Sequence, residues 1–260
     1  AYTRLTGTPE LPPLWALGYH QSKWSYYPDK AVYNLVERFR GLGIPCDAVH
    51  LDHHYMEQKE GFTWDKQNFP DAEGMVRALE KDGVKTVLIV NPGVKVNPAN
   101  PVWKEGMERN YFCRRSEGNL LSEEVWPGLC NFPDFTAPAV RGWWADLFSR
   151  DIGKIGVRGL WNDMNEPSLF YSPDRLRAFL DSMVALREKD NIEQEEFFSQ
   201  VVGGAMGLMN SPEDYASFYH EVNGQKIRHD RVHNLYGGSM TRAAGEAFAK
   251  QHPEKRMLLY

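Results

Sequence analysis

Apolar residues in this chain gather into short dense runs, and between the runs they thin out to every third or fourth position. The runs LWALGY (14–19), DAVHLD (47–52), KTVLIV (85–90) and GVRGLW (156–161) have the length and density of strands, and KTVLIV is apolar enough to be buried on both faces. After the first run, Val32, Leu35, Val36 and Phe39 recur at helical spacing until Gly41 and Gly43. A second helix is expected from Asp71 to Lys81 with Met75 and Leu79 inward and Gly83 as its stop. Thr136 is the expected cap of a third, with Pro138 in its first turn, running through Trp143, Trp144 and Phe148. A fourth return helix is placed over Ser239 to Gln251, and RMLLY (256–260) reads as the start of a fifth strand.

Strands alternating with helices over short returns imply parallel strands and right-handed crossovers. A doubly wound sheet and a (β/α)8 TIM barrel both satisfy that pattern. No glycine-rich phosphate loop follows a strand, which counts against the first. Polar residues sit instead at successive strand ends: His20, Gln21, Lys23 and Trp24, then Asp52, His53 and His54, then Asn91, then Asn162 and Asp163. That rim is where barrel enzymes build their sites. The α/β reading is therefore a partial barrel over residues 1–260, holding about strands 1–5. Two excursions, 93–136 after strand 3 and 164–238 after strand 4, are too long for passive connectors.

Composition narrows the function. A formal net charge of −5 gives no electrostatic reason to expect nucleic acid or an anionic membrane as partner. No apolar run is long enough to span a bilayer, and no basic-then-apolar leader opens the chain. The three cysteines, Cys46, Cys113 and Cys130, form no framework, so buried thiols and a cytoplasmic location are expected. Aromatics make up 13% of the chain, with eight tryptophans; most such residues are core, but an indole can also hold the apolar face of a sugar.

Two stretches carry chemistry. In HLDHHYM (50–56), alternation places His50, Asp52 and His54 on one face, a set that could hold zinc. Positions two apart on a strand are about 6.5–7 Å apart, however, and no other strand end offers a ligand cluster. In LWNDMNEPS (160–168), Trp161 and Asp163 share a face, so an indole and a carboxylate look into one space. Such a pair suits an oxocarbenium-like transition state; the bland alternative is a helix cap at Asp163 and an arginine partner for Glu166.

The ordered set LPPLWALGYHQSKWSYY, GIPCDAVHLDHHYM, FTWDKQNFPD, VLIVNPGVKV, EEVWPGLCNFPDFT, LWNDMNEPS and HNLYG resembles glycoside hydrolase family 31, of the α-glucosidase type. The resemblance implies a hydrolase of carbohydrate metabolism that retains configuration through a covalent intermediate, with Asp163 as nucleophile and Glu166 tuning it. It implies sugar contacts from Asp52, Trp24, His53, Ile89, Trp126, Trp161 and Met164. A small oligosaccharide is the implied substrate, with no cofactor and no metal. Three departures stand out: His53 and His54 where the family commonly has Ile and Asp before the Tyr, Asn91 where it has Asp, and Ala137 where it has Asn. The family's acid/base belongs to a later block, so the remainder of the parent chain (the rest of the barrel and β-sandwich domains) is the implied partner. The chain alone is then expected to be inactive. Other α-glycosidases of the family, a metal-dependent hydrolase and a non-catalytic sugar binder are the alternatives, and self-association stays open.

Overall fold

A computed structural model describes residues 2–8, 10–189 and 191–260. The chain forms two compact units: Ala1–Val90 with Trp144–Asn162 and Ala243–Tyr260, and Asn91–Trp143 with Asp163–Arg242.

The first unit is built on one sheet. Its strands β1 (His20–Gln21), β2 (Ala48–Leu51), β3 (Lys85–Val90), β4 (Gly159–Asn162) and β5 (Leu258–Leu259) lie in that order. All four pairings are parallel, and β3 pairs β4 with Ile89 opposite Trp161. The returns of this sheet hold α1 (Asp29–Gly41) and α2 (Ala72–Lys81), while α3 (Pro138–Leu147) and α4 (His229–Gln251) begin in residues of the second unit and end in residues of the first. On α1, Val32 and Val36 are buried; on α2, Ala72, Met75, Val76 and Leu79 are. The Asp71 carboxylate accepts the Gly74 backbone N–H at 2.8 Å, capping α2 one residue inside the expected start. The Phe62 ring meets Trp144 and Phe148 edge-on at 4.7 and 5.1 Å, a geometry aromatic quadrupoles favour.

Three local expectations change. The run 14–19 is not a strand: Leu14–Leu17 is a 3₁₀ turn, and β1 begins only at His20. Leu14 and Leu17 are exposed, so this apolar run is not covered within the chain; a short run without alternation does not separate strand from turn. Gly18 then passes so close to Asp47 that a Cβ would lie 2.1 Å from its carboxylate, while the Tyr19 N–H donates to that carboxylate at 2.9 Å. Thr136 does not cap α3; its hydroxyl donates to Asp134 at 2.5 Å. Finally, α4 starts at His229 rather than Ser239. Gly237 and Gly238, which precede the expected start, lie inside α4, and a Cβ on Gly237 would sit 2.9 Å from the Asn165 carbonyl oxygen.

The second unit carries two small antiparallel sheets. In one, Gly128–Asn131 lies between Val94–Lys95 and Ser122–Val125; in the other, Phe218–Val222 lies between Gln225–Arg228 and Arg114–Arg115. Its buried side chains include Phe132, Phe135, Phe218 and Tyr236, with Phe135 edge-on to Tyr236 at 5.2 Å. Among the described residues no helix is long and apolar enough to cross a membrane.

Candidate active site

In the first unit, Asp52 is the first residue after β2. Its Oδ1 accepts both the His53 backbone N–H at 2.7 Å and the His53 ring Nδ1 at 2.9 Å, which turns the chain into the short 3₁₀ helix His53–Tyr55. Burial works against the charge on Asp52, but these bonds, with His53 and His54 alongside, outweigh it and hold the carboxyl below its ordinary range. His53 is buried and turned to Asp52. His54 stacks on Tyr27, ring centroids 4.7 Å apart, and Trp24 lies tilted at 5.8 Å from the same imidazole with 62% of its surface exposed. Ile89 is wholly buried, and its carbonyl accepts from the Tyr55 hydroxyl at 2.8 Å. Trp161, half-buried, runs nearly parallel to Tyr260 at 6.4 Å.

His50, Asp52 and His54 do not converge on a metal. The Nε2 of His50 faces His20 Nδ1 at 3.0 Å and its Nδ1 faces the Tyr260 hydroxyl at 2.8 Å, so both ring nitrogens are engaged by protein. Burial and the neighbouring His20 push His50 down to about 4, keeping it neutral. It is a hydrogen-bonded core histidine.

In the second unit, Asp163 is the first residue after β4 and is half-buried. The segment it opens is a tight turn closed by the Ser168 N–H on the Met164 carbonyl at 2.9 Å, with Met164 at φ +56°. Glu166 has an exposed side chain, and its charge helps burial to raise the Tyr215 hydroxyl above its usual range. Beyond the turn, Leu169 exchanges two bonds with Asn210: its N–H donates to the side chain at 2.8 Å and its carbonyl accepts at 2.9 Å. The Phe170 N–H reaches the Glu124 carbonyl at 3.2 Å, and Trp126 meets Phe170 edge-on at 5.2 Å.

One cluster in this unit lay outside the sequence-based candidates. Asp134 accepts from His220 Nδ1 at 2.7 Å, His220 Nε2 faces His229 Nδ1 at 2.8 Å, and His229 Nε2 faces His233 Nδ1 at 3.0 Å. Cys113 Sγ lies 3.6 Å from His220 Nδ1. Cys113, Asp134 and His220 offer ligand-type atoms within 4.8 Å of one another. The 2.7 Å separation between His220 and Asp134 is nevertheless a hydrogen bond, shorter than the roughly 3.3 Å between neighbouring ligands on a tetrahedral zinc. Both Asp134 oxygens are already used, one by His220 and Thr136 and the other by the Glu221 N–H at 2.8 Å. The signal available in the sequence was the four-residue spacing of His229 and His233, which places both on one helix face.

Parallel strands with helical returns, a carboxylate directly after β2 and an indole–carboxylate pair ending β4 define an enzyme of the TIM-barrel class. Residues 9–260 match the glycosyl hydrolases family 31 TIM-barrel domain, and the chain belongs to that family of glycoside hydrolases. It is 46% identical over 171 residues to alpha-glucosidase 2 of Bacillus thermoamyloliquefaciens, covering 65% of this chain and 21% of the relative. It is 33% identical over 258 residues to an alpha-glucosidase of Saccharolobus solfataricus, covering 99% and 34%. Among solved structures, the glucosidase II alpha subunit bound to Glc1Man2 superposes with a TM-score of 0.76 at 30% identity, covering 98% of this chain and 24% of that one. A family 31 dextranase of Flavobacterium johnsoniae in complex with glucose gives 0.74 at 27%, covering 98% and 26%. The chain thus spans about a fifth to a third of these relatives' length.

Proposed function

We propose that the full-length protein containing this chain is an exo-acting α-glucosidase that removes terminal non-reducing α-linked glucose from oligosaccharides with retention of configuration. The carrying observation is the placement of Asp163: the first residue past a parallel strand, two positions after Trp161, in a chain of family 31. The Asp163 carboxylate attacks the anomeric carbon as the glycosidic C–O bond breaks, the leaving oxygen taking a proton from the acid/base that the family carries in a later block; the same group, now a base, then takes a proton from water, which displaces Asp163 and releases α-glucose. Glu166, three residues on, supplies negative charge near the nucleophile. Asp52, ionised and fixed by His53, accepts hydrogen bonds from the hydroxyls of the terminal sugar. Trp161, Met164, Trp126 and Trp24 supply apolar walls, whereas Ile89, wholly buried, lies behind the surface rather than on it.

The names of the relatives support α-linked glucose, and Cys46, Cys113 and Cys130, buried and in no disulfide, support a reducing, cytoplasmic setting. The test is hydrolysis of maltose and isomaltose by the full-length protein, followed by proton NMR before mutarotation. The α-anomer of glucose is the expected first product. The β-anomer first, or no turnover of any α-glucoside, overturns the proposal.

A further inference from the structure

The segment HNLYG (233–237) has no part in the chemistry above, and its residues divide by role. Tyr236 is fully buried against Phe135, and Gly237 passes close to Asn165. His233, Asn234 and Leu235 instead line a cavity of about 680 Å³ within the second unit, together with Asn210, Tyr215 and Arg231. That volume lies in the range of small-ligand sites. Among the described residues, none hydrogen-bonds the Nε2 of His233, the Tyr215 hydroxyl, the Arg231 guanidinium or the Asn234 side chain. The Asn210 side-chain oxygen accepts the Leu169 N–H at 2.8 Å, which leaves its amide nitrogen unspent. Asp230 also borders the cavity, but its carboxylate is already held by two nitrogens of Arg228 at 2.7 and 2.8 Å.

The imidazole of this cavity is set from inside the unit. Asp134, immobilised by Thr136 and by the Glu221 N–H, accepts from His220 Nδ1 at 2.7 Å. With one proton per ring, His220 Nε2 then accepts from His229 Nδ1 at 2.8 Å, and His229 Nε2 accepts from His233 Nδ1 at 3.0 Å. Burial, with His220 and His233 alongside, pushes His229 down to about 3, so the middle ring stays neutral and passes that polarity on. His233 is left with Nε2 as an acceptor, and the half-buried Tyr215 ring flanks it at 4.8 Å. Arg231 and the amides of Asn210 and Asn234 are donors. A ligand that matches this set both donates and accepts, and offers an apolar face to Tyr215 and Leu235, as the hydroxyls and C–H faces of a pyranose do. A fully ionised phosphate only accepts, and would meet the lone pair of His233.

We propose that this cavity is a second saccharide-binding site, taking glucose units of an α-glucan, apart from the site at which Asp163 reacts. Recognition of hydroxyls is argued from the lining, and the choice of glucose rests on the α-glucosidase reading.

The experiment titrates maltotriose by calorimetry into full-length protein whose Asp163 site has been filled with a 5-fluoro-α-glucosyl fluoride, and into His233→Leu treated in the same way. The proposal predicts that maltotriose still binds the filled wild type and that His233→Leu weakens this binding about tenfold or more. It also predicts that untreated His233→Leu keeps the wild-type kcat and KM on an aryl α-glucoside. No binding to the filled wild type overturns the proposal, as does unchanged binding in His233→Leu. A large rise in KM on the aryl glucoside in His233→Leu makes the cavity part of the catalytic site and overturns it as a second one. Sodium phosphate is titrated in parallel: phosphate binding that Arg231→Ala abolishes, with no binding of maltotriose, makes this an anion site and overturns the proposal. If His233→Leu does not fold, Arg231→Ala, whose side chain is exposed, carries the same titration with the same two outcomes. If the full-length protein neither labels nor turns over any α-glucoside, the α-glucosidase reading fails. Titration of the untreated protein with maltotriose then decides the site: binding lost in His233→Leu supports it, and no binding overturns it.

Discussion

Asp52 Oδ1 takes both the backbone N–H and the ring nitrogen of His53, at 2.7 and 2.9 Å. A carboxylate held by its own neighbour in this way presents one free oxygen in a fixed direction. Asp52→Asn removes the charge while keeping the shape, and is expected to lower kcat/KM by about 1.5–3 kcal/mol, the worth of a hydrogen bond to a charged group. His53→Leu is expected to cost less, by freeing the Asp52 rotamer. Steady-state kinetics on an aryl α-glucoside check both; an Asp52→Asn enzyme with wild-type kcat/KM contradicts this role.

His50 of β2, paired with His20 of β1, sets a pH dependence of stability. His50 is pushed down to about 4 in the folded protein, against an ordinary imidazole near 6.5 in the unfolded chain. Between those values the unfolded chain binds a proton that the folded one does not. Stability is therefore full above about pH 6.5 and falls as pH drops towards 4. His50→Gln is expected to flatten that part of the profile, measured as urea midpoints between pH 4 and 7.

Trp144 is almost completely buried, with Phe62 at 4.7 Å and Phe148 at 6.2 Å, both edge-on. Trp144→Ala is expected to destabilise the protein by about 3–5 kcal/mol through lost burial and the cavity left behind. Trp144→Phe, which keeps a ring, is expected to cost markedly less. The readout is the denaturant midpoint of full-length protein.

What the sequence made legible divides by range. α2 was readable because its signals are local: Asp71 as cap, Met75 and Leu79 at helical spacing, and Gly83 at φ +81° as the stop. β3 was readable because five consecutive residues, Thr86–Val90, are buried. The 14–19 run misled because Leu14 and Leu17 are exposed in this chain, and apolar character alone does not say what covers it. α4 starts ten residues before the expected Ser239, and its Gly237 serves close approach to Asn165. At the candidate site, the strand-end positions of Asp52 and Trp161, and of Asp163 directly after β4, followed from alternation and the motif. The Asp134–His220 bond did not, because it joins a loop residue to a strand residue 86 positions apart in sequence. Nothing local marks such a pair.

The central claim is that Asp163 is the nucleophile. The most direct test is inactivation of the full-length protein with a 5-fluoro-α-glucosyl fluoride, followed by peptide mass spectrometry. The mechanism predicts one glucosyl adduct per chain, located on Asp163 within LWNDMNEP, and none in Asp163→Ala. Labelling on a different carboxylate, or turnover without any covalent adduct, contradicts it.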